Sequence, residues 1–334
     1  MIITQEHRDF GEKLANLLRH DRVPGLRMDA AVATMFVAKQ LEYVSADVTN
    51  IAKYALKART FLPVDRSAHP GSQTIAIDTM DSMGEAEITD DYAGDSPGVG
   101  AIRERSATLV AGLRAHYAYS IQDMRAAQMA GVPLEVELAA QARRAIEAKL
   151  DRIALRGDAK INRTGFANDA NVSVYGTALN WTSATTAEDM LDGMNAFVSA
   201  TKEKFGDIEE NLDVDTLIVP TGHWQLMNNK TFANRPDVTA LKAFLANQAY
   251  VHNVAPWGQL NQLGAGSTPG APIGRFICYR RDPAVVRLNI PQDYEEFPEV
   301  KGLKFNTECH LRTAGTVIRR VLAVGYADGT SDLS

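Results

Sequence analysis

Residues 73–121 read QTIAIDTMDSMGEAEITDDYAGDSPGVGAIRERSATLVAGLRAHYAYSI. Residues 73–80, QTIAIDTM, and 107–121, ATLVAGLRAHYAYSI, alternate apolar and polar side chains with the two-residue period of a strand. The stretch between them is rich in Asp, Gly and Glu. The pattern predicts two extended strands joined by a polar connector, a long β-hairpin arm. A two-stranded hairpin is not independently stable in water, so this arm needs a partner surface. An extended arm without its own core signals assembly more than catalysis.

The connector contains GDSPG at residues 94–98, which fits the G-x-S-x-G nucleophile elbow of serine hydrolases. In that motif the residue after the serine gives its backbone N–H to the oxyanion hole. Here that residue is Pro97, which has no N–H to give. A strand should lead in and a helix should follow, yet ITDDYAG is acidic and turn-rich, and VGAIRERS brings another glycine at once. The reading is a bent, polar loop tip in which Ser96 is not a nucleophile; a hydrolase using Ser96 is a remote alternative.

On the C-terminal side the period becomes helical. After Gly131-Val132-Pro133, apolar residues at Leu134, Leu138, Ala142, Ala145, Ile146, Leu150, Ile153 and Ala154 step by three and four, and the run ends at Gly157. At 1.5 Å per residue such a helix is roughly 35 Å long. Glu135, Arg143, Arg144, Glu147, Lys149 and Asp151 are expected on a solvated or inter-subunit face. The Arg156-Gly157-Asp158 triplet therefore closes a helix, with Gly157 as its cap.

On the N-terminal side the first sixty or so residues read as an arm. Phe10, Leu14, Leu17 and Leu18 fall at helical spacing before Val23-Pro24-Gly25, and MDAAVATMFVAKQLEYV follows at 28–44. Isolated helices this short are marginal in water, so they must pack on the rest of the chain or on a neighbour. From about Asn180 the reading is compact α/β. Helices are expected over 186–205 with Thr186 as N-cap, from 221, and over 235–248 opening on Arg235-Pro236. Strands are expected at 215–220, 275–281, 284–290, 302–313 and 315–329.

The bulk numbers exclude several classes. The chain has 334 residues, a net charge of −6 and a pI near 5.7, which argues against a dedicated nucleic-acid binder. No run of 18 apolar residues occurs, and MIITQEHRDFGEK lacks the features of a secretory signal. Cys278 and Cys309 could form one bridge, but two thiols in a reducing compartment are the simpler reading. There is no P-loop, and Arg103 stands where the dinucleotide pattern begun by Gly98-Val99-Gly100 needs its third glycine. The seven histidines form no H-x-x-x-H pair, and Cys278, Cys309 and His310 lack paired ligand spacing. Asp90-Asp91, Glu209-Glu210 and Glu295-Glu296 read as solvated charge, and His223-Trp224 as packing at a helix start. Neither a cofactor nor a metal is expected, and no enzymatic activity.

The order of arm, long hairpin, long helix ending in Gly, compact α/β region and final strands resembles the major capsid proteins of tailed bacteriophages, the Hong Kong 97-type fold also used by encapsulins. The stretches RTAGTVIRRVLAVGYADG and ALRGDAKINRTGFAND resemble capsid sequences of this kind. The resemblance implies an α+β fold with an N-terminal arm at 1–60, an E-loop hairpin at 61–121, a P-domain spine helix and junction at 122–174, an A-domain at 175–299 and P-domain closing strands at 300–334. It implies self-assembly through hexamers and pentamers into an icosahedral shell around double-stranded phage DNA. Further implied partners are separate scaffolding, portal and decoration proteins, with the DNA touched only non-specifically and no membrane. The place is the virion capsid, assembled in the bacterial host cytoplasm. An encapsulin-type compartment is the alternative, disfavoured by the long arm and long E-loop.

On the same resemblance the E-loop tip reaches a neighbouring subunit. Gly94, Pro97, Gly98 and Gly100 would set its bends, while Asp90, Asp91, Tyr92, Asp95, Arg103, Glu104 and Arg105 would make intersubunit contacts. Some capsids of this kind join an E-loop lysine covalently to an asparagine of another subunit. No lysine lies between Lys57 and Lys149, so a shell without that cross-link is expected. A cleaved N-terminal scaffolding domain has no room here, which implies a separate scaffold or an already mature chain.

Overall fold

The computed structural model describes residues 54–84, 98–131, 133–204, 213–248, 250–268 and 271–331. The helices expected in the first 44 residues lie outside them, as do Ser96, Pro97 and most of the hairpin connector. The chain divides into two units, Met1–Ala52 with Ala126–Val132, and Lys53–Arg125 with Pro133–Ser334. Of the first, only the end of one helix and Gly131 are described. All the other described elements belong to the second unit.

That unit begins with a single helical turn, α1 (Ala58–Phe61), and a short strand, β1 (Val64–Asp65). Strands β2 (Thr74–Met83) and β3 (Gly100–Leu109) then pair antiparallel from Thr74 opposite Leu109 to Met83 opposite Gly100. The hairpin is present, but its return strand is 100–109, where the sequence pattern placed it at 107–121. Gly100, expected as a bend, is the first residue of that strand. At Val110, buried and donating its N–H to the Gln73 carbonyl at 2.8 Å, the chain leaves the hairpin. Strand β4 (Ala111–Ser120) joins a different sheet.

Helices α2 (Ile121–Ala130) and α3 (Leu134–Arg156) come next, separated at Gly131. The long helix has the expected bounds, and Ala142, Ile146, Leu150, Ile153 and Ala154 are buried along one side. Two positions differ from expectation. Ala145 is exposed, and Asp151, expected on the solvated face, is buried. Gly157 caps the helix at φ 75°, ψ −172°, its N–H donating to the Ile153 carbonyl. The chain then reverses through strands β5 (Gly157–Asp158) and β6 (Arg163–Thr164).

In the α/β region helix α4 (Ala187–Glu203) starts on Thr186, whose hydroxyl accepts the Asp189 N–H and donates to the Asp189 carboxylate at 2.7 Å. Strand β7 (Thr216–Val219) is buried throughout, and α5 (Thr221–Asn229) follows. His223 packs edge-on to Trp181 and Phe276, and burial lowers its pKa to about 4, so it sits there as a neutral core residue. The helix expected from Arg235 instead begins five residues later. Strands β8 (Thr231–Phe232) and β9 (Arg235–Thr239) form a small hairpin, and Thr239 caps α6 (Ala240–Asn247). Thr239 accepts the Lys242 N–H, and the β-branched Val238-Thr239 pair favours extended backbone before the cap.

The remaining strands are β10 (Asn253–Pro256), β11 (Gly274–Tyr279), β12 (Val286–Asn289), β13 (Gln292–Lys301), β14 (Lys304–Thr313), β15 (Gly315–Ile318) and β16 (Val324–Gly329). Three sheets result, in the orders β13-β14-β4, β1-β12-β15 and β10-β7-β11-β16. Helix α3 lies against β4, β14 and β15. Residues 315–329, expected as one closing segment, split: β15 stays beside the long helix, whereas β16 pairs with β11 in the α/β sheet. Cys278 and Cys309 are buried free thiols in separate sheets.

Candidate assembly surface

The β2–β3 hairpin is the feature this chain leaves uncovered. Along β3 every residue but Thr108 is exposed. Register sorts its side chains onto two faces, because directly opposed residues share a face. One carries Ile75, Ile77, Ile102 and Met83; the other carries Asp78, Met80, Arg103 and Arg105. Ile102 is 57% and Met83 54% exposed. Fully burying two such side chains against a neighbour contributes about 1.5–3 kcal/mol each.

Arg103 and Arg105, expected to reach another subunit, are engaged within the hairpin. Arg105 Nε donates to Asp78 Oδ1 at 2.7 Å, and Arg103 donates to the same carboxylate. The hydrogen bonds from Arg105, then Arg103, hold the Asp78 carboxyl down to about 2. Exposed pairs of this kind contribute about 0–1 kcal/mol, so their effect is on register and on charge. Glu104 lies on the opposite face, across from Thr79. Asp90, Asp91, Tyr92, Gly94, Asp95 and Pro97 lie outside the described residues; Gly98 is described, and a side chain there would meet nothing within 4 Å. Sequence pattern did not single out Asp78, because its role depends on which strand returns.

Below the hairpin the chain from Lys57 to Arg66 is strapped to the long helix. Asp151 Oδ1 accepts the backbone N–H groups of Lys57 and Ala58 at 3.0 and 2.7 Å, and Oδ2 accepts Gln259 Nε2. Burial raises the Asp151 pKa despite those three donors. Arg59 bridges Glu147 at 2.9 Å and Asp293 at 2.8 Å, and Arg66 reaches Asp293 at 2.6 Å. Tyr279 donates its hydroxyl to the Phe61 carbonyl at 2.7 Å. The strap fixes the base from which the hairpin projects. Asp151 was missed as a structural residue because its partners lie far away in sequence.

The arrangement offers surfaces for protein contact, and the comparisons with known proteins agree with it. The family model described as "Major capsid protein" matches residues 84–330. The capsid protein of Myoviridae phage XM1 superposes with a TM-score of 0.74 at 15% identity, over 92% of this chain and 100% of that one. The structure described as the capsid of a native GTA particle gives 0.62 at 11%, over 92% and 100%. That of Mycobacterium phage Bobi gives 0.60 at 16%, over 89% and 98%. At these identities the likeness concerns the fold. No curated protein sequence is detectably similar to the chain.

Proposed function

This chain belongs to the major capsid protein family, and we propose that it assembles through hexamers and pentamers into an icosahedral shell enclosing double-stranded phage DNA. The family is structural, not enzymatic, so the GDSPG stretch serves no acyl chemistry. The observation that carries the proposal is the β2–β3 hairpin, ten residues a strand and exposed along nearly its whole return strand. Such a ribbon is stable only against another surface, and a second copy of the chain supplies one. Heterologous contacts of this kind close into rings and shells.

In this reading residues 1–60 form an arm, 61–121 the projecting loop, 122–174 the spine and junction, 175–299 the A-domain and 300–334 the closing segment. Scaffolding, portal and decoration proteins are separate partners, the host cytoplasm is the site of assembly, and the DNA is contacted without sequence preference. Net negative charge supports the last point, since it disfavours phosphate capture by the wall.

The shell is held without lysine cross-links through the loop, because no lysine lies between Lys57 and Lys149. Purified particles, boiled and reduced, are expected to run as one band at 36.4 kDa on a denaturing gel. A ladder of higher multiples would contradict this.

A further inference from the structure

Residues 85–97, which join the far end of the hairpin, carry Glu85, Glu87, Asp90, Asp91 and Asp95 and no Lys or Arg. The nearest arginines in sequence, Arg103 and Arg105, are held by Asp78. The tip therefore lacks a local counter-charge. The opposite situation holds at the C-terminal end of the long helix. Lys149, Arg152 and Arg156 are spaced to lie along one helix face, and all three are exposed. Asp158, which Lys149 meets at 2.6 Å, brings the following Lys160 beside them.

The acids of that stretch are already engaged. Glu147 is paired with Arg59, Asp151 is buried under backbone N–H groups, and Asp158 is paired with Lys149. Arg152, Arg156 and Lys160 have no carboxylate partner among the described residues. A chain of net charge −6 thus presents a cationic patch and an anionic tip. The tip stands at the end of a ribbon roughly 33 Å long at about 3.3 Å per residue. That ribbon is not covered by the chain's own described residues, which directs the tip toward a second molecule.

We infer that the acidic hairpin tip of one copy docks on the Arg152–Arg156–Lys160 patch of a neighbouring copy. The inference rests on the shell reading and names the surface that receives the loop. Charge complementarity of this kind sets partner and register, and like charges placed together oppose association. Exposed charges are screened beyond about 8 Å at physiological salt, so the docking weakens as salt rises.

The test is a charge swap in the full-length chain, read by sedimentation and electron microscopy of assembled particles. Arg152→Glu with Arg156→Glu, and separately Asp90→Arg with Asp91→Arg, are each expected to raise the concentration needed for assembly by about tenfold or more. Mixing the two variants restores assembly, since each tip then meets an opposite patch on its neighbour. A folding defect could not be rescued in this way, so failure of the mixture overturns the inference. Rescue only when all four changes sit in one chain would place the contact within a subunit and also overturn it. If the helix variant assembles as readily as wild type but retains less DNA, the patch serves nucleic acid and the inference falls while the shell reading stands. A wild-type chain that never assembles removes the shell reading itself, and this inference with it.

Discussion

Replacing Gly157 with alanine is expected to destabilise the subunit by about 3–5 kcal/mol, a large part of the roughly 5–15 kcal/mol that holds a typical domain folded. At φ 75°, ψ −172° the backbone occupies a region open essentially to glycine alone. An added Cβ would also lie 2.1 Å from the Arg163 carbonyl oxygen. That neighbour is backbone, paired across the β5–β6 reversal, and cannot rotate away. Gly165 answers from the other strand, where a Cβ would lie 2.3 Å from the Leu155 carbonyl oxygen. The long helix can turn back on itself only with bare backbone on both sides. Denaturant unfolding of the soluble subunit checks this, with Gly176→Ala as the control. No heavy atom lies within 4 Å of a side chain placed at Gly176, so that variant should change stability by less than about 0.5 kcal/mol. Equal midpoints for the two variants would refute the expectation.

Arg275→Met is expected to cost a similar amount, about 3–5 kcal/mol. Arg275 lies opposite Asp328 across the β11–β16 pair, and its Nε and Nη2 donate to the two carboxylate oxygens at 2.7 and 2.8 Å. Its Nη1 donates to the Ala167 carbonyl at 2.7 Å, and the guanidinium lies over the Tyr326 ring. One side chain therefore joins the junction after the long helix to the last strand of the α/β sheet. Methionine fills much of the space but leaves Asp328 uncompensated and Ala167 without its donor. Because a buried pair is worth less than the cost of breaking it, Arg275→Met with Asp328→Leu should recover much of the loss. A double-mutant cycle of unfolding free energies measures that coupling directly. Additive single effects would show that the two residues do not act as a pair.

Legibility in the sequence tracks the range of the forces involved. The long helix was readable because its burial is one-sided and local, so Ile146, Leu150 and Ile153 fall on one stripe and Gly157 marks the end. Thr186 was readable as a cap for the same reason. The hairpin was readable as an arm but not in its register. Residues 107–121 alternate without interruption, and nothing local reveals that Val110 is the point where the chain changes sheets. The partner of β4 is β14, from Lys304 opposite Ser120 to Thr313 opposite Ala111, and that pairing is invisible in any short window. Strand β13 was missed because it is an edge strand whose side chains are mostly exposed, so QDYEEFPEVK shows no buried face. Asp151 looked like surface charge because the N–H groups that hold it belong to Lys57 and Ala58. At the assembly surface, composition alone marked the acidic tip. It could not show that Arg103 and Arg105 are taken by Asp78, nor which cations on the long helix remain unpaired.

Whether this chain builds a closed shell from copies of itself is decided by negative-stain electron microscopy with sedimentation on the full-length protein. The protein should be produced both alone and together with its scaffolding partner. Uniform shells are expected, or rings of capsomer size that close into shells when the partner is present. A protein that stays strictly monomeric under both conditions would leave the exposed hairpin without a surface to meet, and would contradict the shell reading.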